Sequence, residues 1–308
     1  MHTHVIAVVG ATATGKSGLG AALARALRGE IVNADSMQLY QGMDIGTAKE
    51  PAGARQGVPH HLIDIWPVTQ AANVADYQRL AGTAIEEIAA RGRVPVLVGG
   101  SGLYVRAALD DLDFPGTDSA IRARLEEELA RLGPAVLHAR LAALDPVAAG
   151  SILPGNGRRI VRALEVIEIS GRPFSATLPS YQQIRPAVQL GLTWPRPELD
   201  LRIAARVDRM WQEGLEAEVK HLAGQGLREG RTASRALGYQ QLLRYLDGEC
   251  TLEEARLETI KATKRFARRQ ESWFRRDPRI HWLDASAVCA ERLLADALQH
   301  IKTATQAS

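Results

Sequence analysis

The chain has 308 residues, 46% hydrophobic and 24% charged, a balance that suits one large or two modest folded domains and excludes a disordered or fibrous chain. Aromatics reach only 5% against abundant aliphatics and alanine, which favours a helix-rich α/β protein. No apolar run is long enough to span a bilayer and no secretory signal is visible, so no membrane association and a cytoplasmic location are expected. Cys250 and Cys289 lack metal-ligand spacing, and the net charge of +3 hides a window, Arg256–Arg279, with nine basic and three acidic residues, which suits either a polyanionic partner or a solvated helix face.

Val5–Val9 is a continuous apolar run and reads as a buried strand. It leads into Gly10-Ala11-Thr12-Ala13-Thr14-Gly15-Lys16-Ser17, which matches G-x-x-x-x-G-K-[ST] between a predicted strand and a predicted helix over Lys16–Leu27. In such a loop glycines turn backbone N–H groups toward phosphate oxygens, and the helix N-terminus adds positive potential. Lys16 supplies a full charge and the Ser17 hydroxyl can hold Mg²⁺. Glu30–Asn33 and His61–Asp64 read as further strands, Asp76–Ala90 as a helix, and Val94–Val98 as another buried strand. The last ends in Gly-Gly-Ser-Gly rather than the carboxylate that usually orders Mg²⁺ in nucleotide hydrolases. Leu62-Ile63-Asp64 is a weaker place for that carboxylate.

After Asp113-Phe114-Pro115-Gly116 only helical periodicity remains up to Gly171, with Asp145-Pro146 and Asn156 as helix starts. Arg172–Pro186, with three prolines, reads as a connector before a strand at Val188–Leu192. Helices are then expected over Leu199–Gln225, Ser234–Leu246 and Thr251–Arg276, and a last strand at Ile280–Leu283. The resulting fold is α/β: a P-loop NTPase-like parallel sheet flanked by helices (residues 1–115 and 183–308, with a helical C-terminal part) carrying a small all-α insertion (116–182). Strand C-termini share one crevice in such a sheet, so Asp35 and Ser36, just after the second strand, face the phosphate loop. There Asp35 can order a metal, cap a helix or act as a general base.

Several blocks follow one another in a specific order: the phosphate loop, D-S-M-Q-L-Y (35–40), G-M-D-I-G-T-A-K (42–49), P-H-H-L-I-D (59–64), G-G-S-G-L-Y (99–104), R-R-I-V-R-A-L-E (158–165), G-Y-Q-Q (238–241) and R-R-Q-x-x-W-F-R (268–275). With them, nearly the whole chain resembles the tRNA dimethylallyltransferase (tRNA isopentenyltransferase) family. Ala11 stands where that family generally has Pro, Ser101 where Thr is common, and Gln240 where Arg is frequent.

The resemblance implies transfer of a dimethylallyl group from dimethylallyl diphosphate to N6 of the adenosine at tRNA position 37, beside the anticodon, with Mg²⁺ as cofactor. It implies diphosphate binding by Gly10, Ala11, Thr12, Ala13, Thr14, Gly15, Lys16, Ser17 and Arg206. Asp35 is implied as the base, with Ser101 hydrogen-bonding near the amine. A stacked base must be flipped out to react, which costs little in a single-stranded loop. The implied contacts to the tRNA anticodon stem-loop are Asp35, Ser36, Met37, Gln38, Ser101, Arg158, Arg159, Ile160, Val161, Arg162, Gln240, Gln241, Lys264, Arg268, Arg269 and Gln270, in a protein expected to be monomeric. Two alternatives share the loop: a P-loop small-molecule or nucleotide kinase, which leaves the basic C-terminal helix without a use, and a non-catalytic RNA-binding module, which would tolerate loss of Asp35.

Overall fold

The computed structural model describes residues 4–112, 114–177 and 182–306. The chain divides into two compact units, residues 1–109 with 183–308, and residues 110–182. In chain order the first unit opens with β1 (Val5–Gly10), α1 (Lys16–Ala26), β2 (Gly29–Asn33), β3 (His60–His61), α2 (Val74–Ala90), β4 (Val94–Gly99) and α3 (Gly102–Leu109). The second unit holds α4 (Ser119–Leu132), α5 (Pro134–Leu144), α6 (Pro146–Ser151) and α7 (Gly157–Ser170). The first unit resumes with β5 (Ala187–Thr193), α8 (Arg196–Gln212), α9 (Leu215–Ala223), α10 (Tyr239–Leu246), α11 (Leu252–Phe274), β6 (Ile280–Asp284) and α12 (Ala290–Gln306).

The six strands form one parallel sheet in the order β3-β2-β4-β1-β5-β6. Every residue of β1 is buried, as a strand covered on both faces requires. Its register sets Ile6 beside Val96 and Val188, and Val8 beside Val98 and Leu190. This row packs with Leu19 and Leu23 of α1 and with Ala297 and Ile301 of α12. The opposite face is covered by α2, α3 and α11. The chain leaves β1 on one side to reach β2 and later returns to pair β5 on the other, so a crevice opens beyond the C-terminal end of β1.

Three expectations change in the first unit. Strand β3 is two residues long, because Leu62 and Asp64 take left-handed φ values of 61° and 57° that a strand excludes. The helix expected over Leu199–Gln225 is broken into α8 and α9 by Gly214, whose φ is 97°. Helices α3 and α12 were not anticipated, although α12 packs Leu293, Leu294, Ala297, Leu298 and Ile301 from one face against the core.

The second unit begins at residue 110 rather than 116, and the Asp111 N–H donates to Gln182 O across its base at 2.9 Å. Of the expected connector, residues 178–181 lie outside the described residues. Asp118, Asp145 and Asn156 cap α4, α6 and α7 with their side chains. Leu125, Leu137, Leu141, Ile160 and Leu164 form the core. Beside it sits Glu165, fully buried, accepting from Arg122 at 2.6 Å and Arg162 at 2.9 Å. Burial alone would raise the Glu165 carboxyl, but hydrogen bonds from the two arginines hold it below its ordinary range.

Glu165→Ala leaves both guanidinium groups without their shared acceptor and is expected to destabilise this unit by about 3 kcal/mol. Denaturant unfolding, read alongside amide exchange in α4 and α7, measures the loss.

Candidate active site

Residues 10–17 carry the chain from β1 into α1. Gly15 caps the helix at a φ of 98°, a conformation that a side chain would strain. The loop is held from outside by three side chains. Trp194 Nε1 donates to Thr14 O at 3.1 Å, Arg202 Nε to Ala13 O at 2.9 Å, and Gln270 Oε1 accepts from Thr12 N at 2.9 Å. Inside the loop the Thr14 hydroxyl donates to Ala11 O at 2.9 Å and Lys16 Nζ to the same carbonyl at 2.6 Å. Burial pushes Lys16 down to about 7; nearby Arg206 lowers it further, while Asp35 pulls it upward. Arg206, from α8, is also held below its ordinary value by burial, against the pull of Asp35. Its guanidinium donates to Thr47 O at 3.4 Å.

Asp35 follows β2 in a turn built by Asn33. The Asn33 amide accepts from Asp35 N at 2.9 Å and donates to Asp35 O at 3.0 Å. Asp35 Oδ1 in turn accepts from Met37 N at 3.0 Å. The carboxylate therefore caps its own turn and faces the two cations together. Beside it, β4 ends at Gly99, where a Cβ would lie 2.2 Å from Ala34 O, so only glycine permits the approach. That approach brings Ser101 N to Ala34 O at 3.3 Å and Ser101 Oγ to Ser36 N at 3.2 Å.

Two cavities meet here. One of 270 Å³ is lined by Lys16, Ser17, Gln38, Asp35 and Arg206. The other, of 290 Å³, is lined by Ser101, Met37, Tyr239, Phe266, Asp35 and Arg206. Asp35 and Arg206 thus belong to both, between a phosphate-loop lobe and a lobe with aromatic and aliphatic walls. Among the described residues no group of three or more His, Cys, Asp or Glu side chains could enclose a metal ion. The donors at the loop, chiefly the Ser17 hydroxyl, instead fit a hard cation that takes most of its oxygens from a bound polyphosphate.

The residues expected to touch RNA divide into distinct groups. Ser36, Met37 and Ser101 line the second cavity, and Gln38 lines the first while donating to Thr47 O at 3.1 Å. Arg269 lines the second cavity and, with exposed Gln240, a neighbouring surface notch. Lys264 is half-buried on the same helix as exposed Arg268. Exposed Arg158 and Arg159 make no side-chain hydrogen bond or ion pair among the described residues.

The remaining expected contacts have side chains engaged within the protein. Ile160 and Val161 are core residues of the second unit, buried against its neighbouring helices. Gln241 is buried and caps α10, accepting from Gly238 N at 2.9 Å. Gln270 is buried and spends its amide inside the protein, on Thr12 N and, as donor at 2.8 Å, on Gly100 O. Arg162 is largely committed to Glu165 and to the carbonyls of Pro115 and Gly116. Sequence pattern put all five near recognition residues but could not reveal which way each side chain faced. The supports Trp194, Arg202 and Thr47 were missed; of these only Thr47, inside the 42–49 block, lay in a segment already singled out.

Known proteins place this geometry in one family. Residues 38–277 match the family model described as IPP transferase. The chain is 70% identical over 288 residues to a tRNA dimethylallyltransferase of Thermobifida fusca (strain YX), covering 92% of this chain and 90% of that protein. It is similar to the crystal structure of the full-length tRNA isopentenylpyrophosphate transferase of Bacillus halodurans, with a TM-score of 0.75, 40% identity and 99% and 97% of the two chains covered. A structure of a eukaryotic dimethylallyltransferase acting on tRNA aligns with a TM-score of 0.83 at 26% identity, covering 98% of this chain and 80% of that one. With a family model spanning most of its length and relatives this similar end to end, the chain belongs to the IPP transferase family.

Proposed function

We propose that the protein transfers the dimethylallyl group of dimethylallyl diphosphate to N6 of the adenosine at position 37 of a tRNA. The observation that carries this reading is the pair of cavities joined at Asp35 and Arg206. The phosphate-loop lobe suits a diphosphate, and the second lobe suits an isoprenoid carbon and a flipped base. In the reaction N6 attacks C1 of the allyl group, the C1–O bond breaks, and diphosphate leaves with the bonding electrons. The N6 proton passes to Asp35, which makes the delocalised amine a competent nucleophile as the N–C bond forms.

Lys16, Arg206 and the loop N–H groups stabilise the charge that develops on the leaving oxygen. Ser17 is the side chain that would hold Mg²⁺, and the ion, when bound, supplies further neutralisation of the diphosphate. Ser101, beside Ser36, positions the amine. Met37 and Arg269 flank the route by which a single-stranded loop delivers its base. Arg158 and Arg159 give the second unit exposed positive charge suited to an RNA backbone.

Labelled dimethylallyl diphosphate tests the reading directly: label enters tRNA without ATP. Nucleotide-dependent phosphorylation of a small acceptor, with no label in tRNA, would select a kinase. Asp35→Ala is expected to retain tRNA affinity and to slow single-turnover transfer by about 10² to 10⁴.

Charge reversal at Arg158 and Arg159 should weaken tRNA binding roughly tenfold at about 0.1 M salt and flatten its salt dependence. Arg162→Ala should instead act on the stability of the second unit, which thermal melts separate from filter-binding affinities.

Lys16 gives the pH dependence. With its pKa at about 7 in the free protein, it is mostly neutral above that pH, and a bound anion favours its charged form. The Lys16 contribution to diphosphate affinity is therefore fullest below pH 7 and falls as the pH rises through it. In chelator-treated buffer at about pH 8, binding of inorganic diphosphate should draw nearly one more proton into the wild type than into Lys16→Arg. Calorimetry in buffers of different ionisation enthalpy measures the difference.

A further inference from the structure

The block G-M-D-I-G-T-A-K (42–49) has no chemical role in the mechanism above, yet it touches the residue on which both cavities converge. Thr47 O accepts from the Arg206 guanidinium at 3.4 Å and from Gln38 Nε2 at 3.1 Å. The segment is not part of a regular element: Ala48 N and Lys49 N donate within it to Ile45 O and Asp44 O, and its remaining N–H groups need acceptors from outside. One carboxylate serves three of them. Glu218, on α9, accepts from the N–H groups of Asp44 at 3.1 Å, Ile45 at 2.7 Å and Gly46 at 3.3 Å. Its other engagement is Tyr239, whose hydroxyl donates to Glu218 Oε1 at 2.5 Å.

The Tyr239 ring also fills the space that a side chain at position 46 would need: a Cβ there would lie 2.4 Å from the ring. At the far end of the segment, buried Lys49 ion-pairs with Asp44 at 2.6 Å and donates to Tyr40 O at 2.9 Å. The segment is thus clamped at both ends, and its carbonyl at position 47 is fixed as a result.

We infer that Glu218, braced by Tyr239, is a positioning residue for the diphosphate site, acting through the 42–49 segment and Thr47 O to aim the Arg206 guanidinium at the junction of the two cavities. Both Glu218 oxygens act as acceptors, so an amide cannot replace the carboxylate. One arm of a glutamine would present N–H groups to backbone N–H groups. The residue has no assigned contact with either substrate, and the inference rests on Arg206 binding diphosphate as proposed above.

The test uses the full chain and inorganic diphosphate as the probe. Glu218→Gln should weaken diphosphate affinity and raise KM for dimethylallyl diphosphate by about tenfold, as loss of an orienting partner commonly does. tRNA affinity should stay within about twofold, since the clamp orders the diphosphate side. In an Arg206→Ala background the same substitution should have no further effect on diphosphate affinity, because it acts through the missing guanidinium.

Tyr239→Phe removes one donor and keeps the ring. It should shift diphosphate affinity in the same direction by a smaller factor, and it carries the test if Glu218→Gln does not fold. Unchanged diphosphate affinity in the folded variants, or an equal loss in the Arg206→Ala background, would overturn the inference. Failure of the wild type to label tRNA would overturn the transferase reading instead, so the two failures are told apart.

Discussion

Everything at this site follows from packing two cations beside one carboxylate at the end of a parallel sheet. Burial lowers the proton affinity of both Lys16 and Arg206, Arg206 lowers that of Lys16 further, and Asp35 only partly compensates them. Such an arrangement has a clear electrostatic preference for a polyanion. It also has a cost, because charges withdrawn from water must be held where they are. Much of the surrounding architecture serves that purpose: Trp194, Arg202 and Gln270 fix the phosphate loop, Asn33 fixes the turn at Asp35, and Thr47 meets the guanidinium.

The parts of this that could be read from sequence are those in which one local segment contains its own cause. The phosphate loop is complete within eight residues, and its strand and helix neighbours have unmistakable periodicities. The buried strands β1 and β4 are continuous apolar runs, and Asp118, Asp145 and Asn156 sit where helix caps belong. Features that depend on distant partners were not legible. Gln270 sits in a basic window and looked like an RNA contact, yet its partners are Thr12 and Gly100. Glu218 is one of several acidic residues on a helix, and nothing local marks it as the acceptor for a loop more than a hundred and seventy residues away.

The same reasoning separates the arginines of the second unit. Arg158, Arg159 and Arg162 look alike in sequence, but a fully buried carboxylate lies within reach of only the last of them. A buried acid needs its partners before a surface can have them, so Glu165 claims Arg122 and Arg162. Arg158 and Arg159 keep the exposed charge that the fold does not use. Residue counts in a basic stretch therefore overstate the electrostatic surface a partner meets.

The amide of Gln270, 258 residues beyond Thr12, joins the turns that follow the central strands β1 and β4. During synthesis the phosphate loop leaves the ribosome early, but the brace that completes it arrives only after α11 has emerged. An unfinished chain can form its first strand and helix and still lack a fully tethered anion pocket. The phosphate loop is therefore fully braced only when residues from both ends of the chain are present.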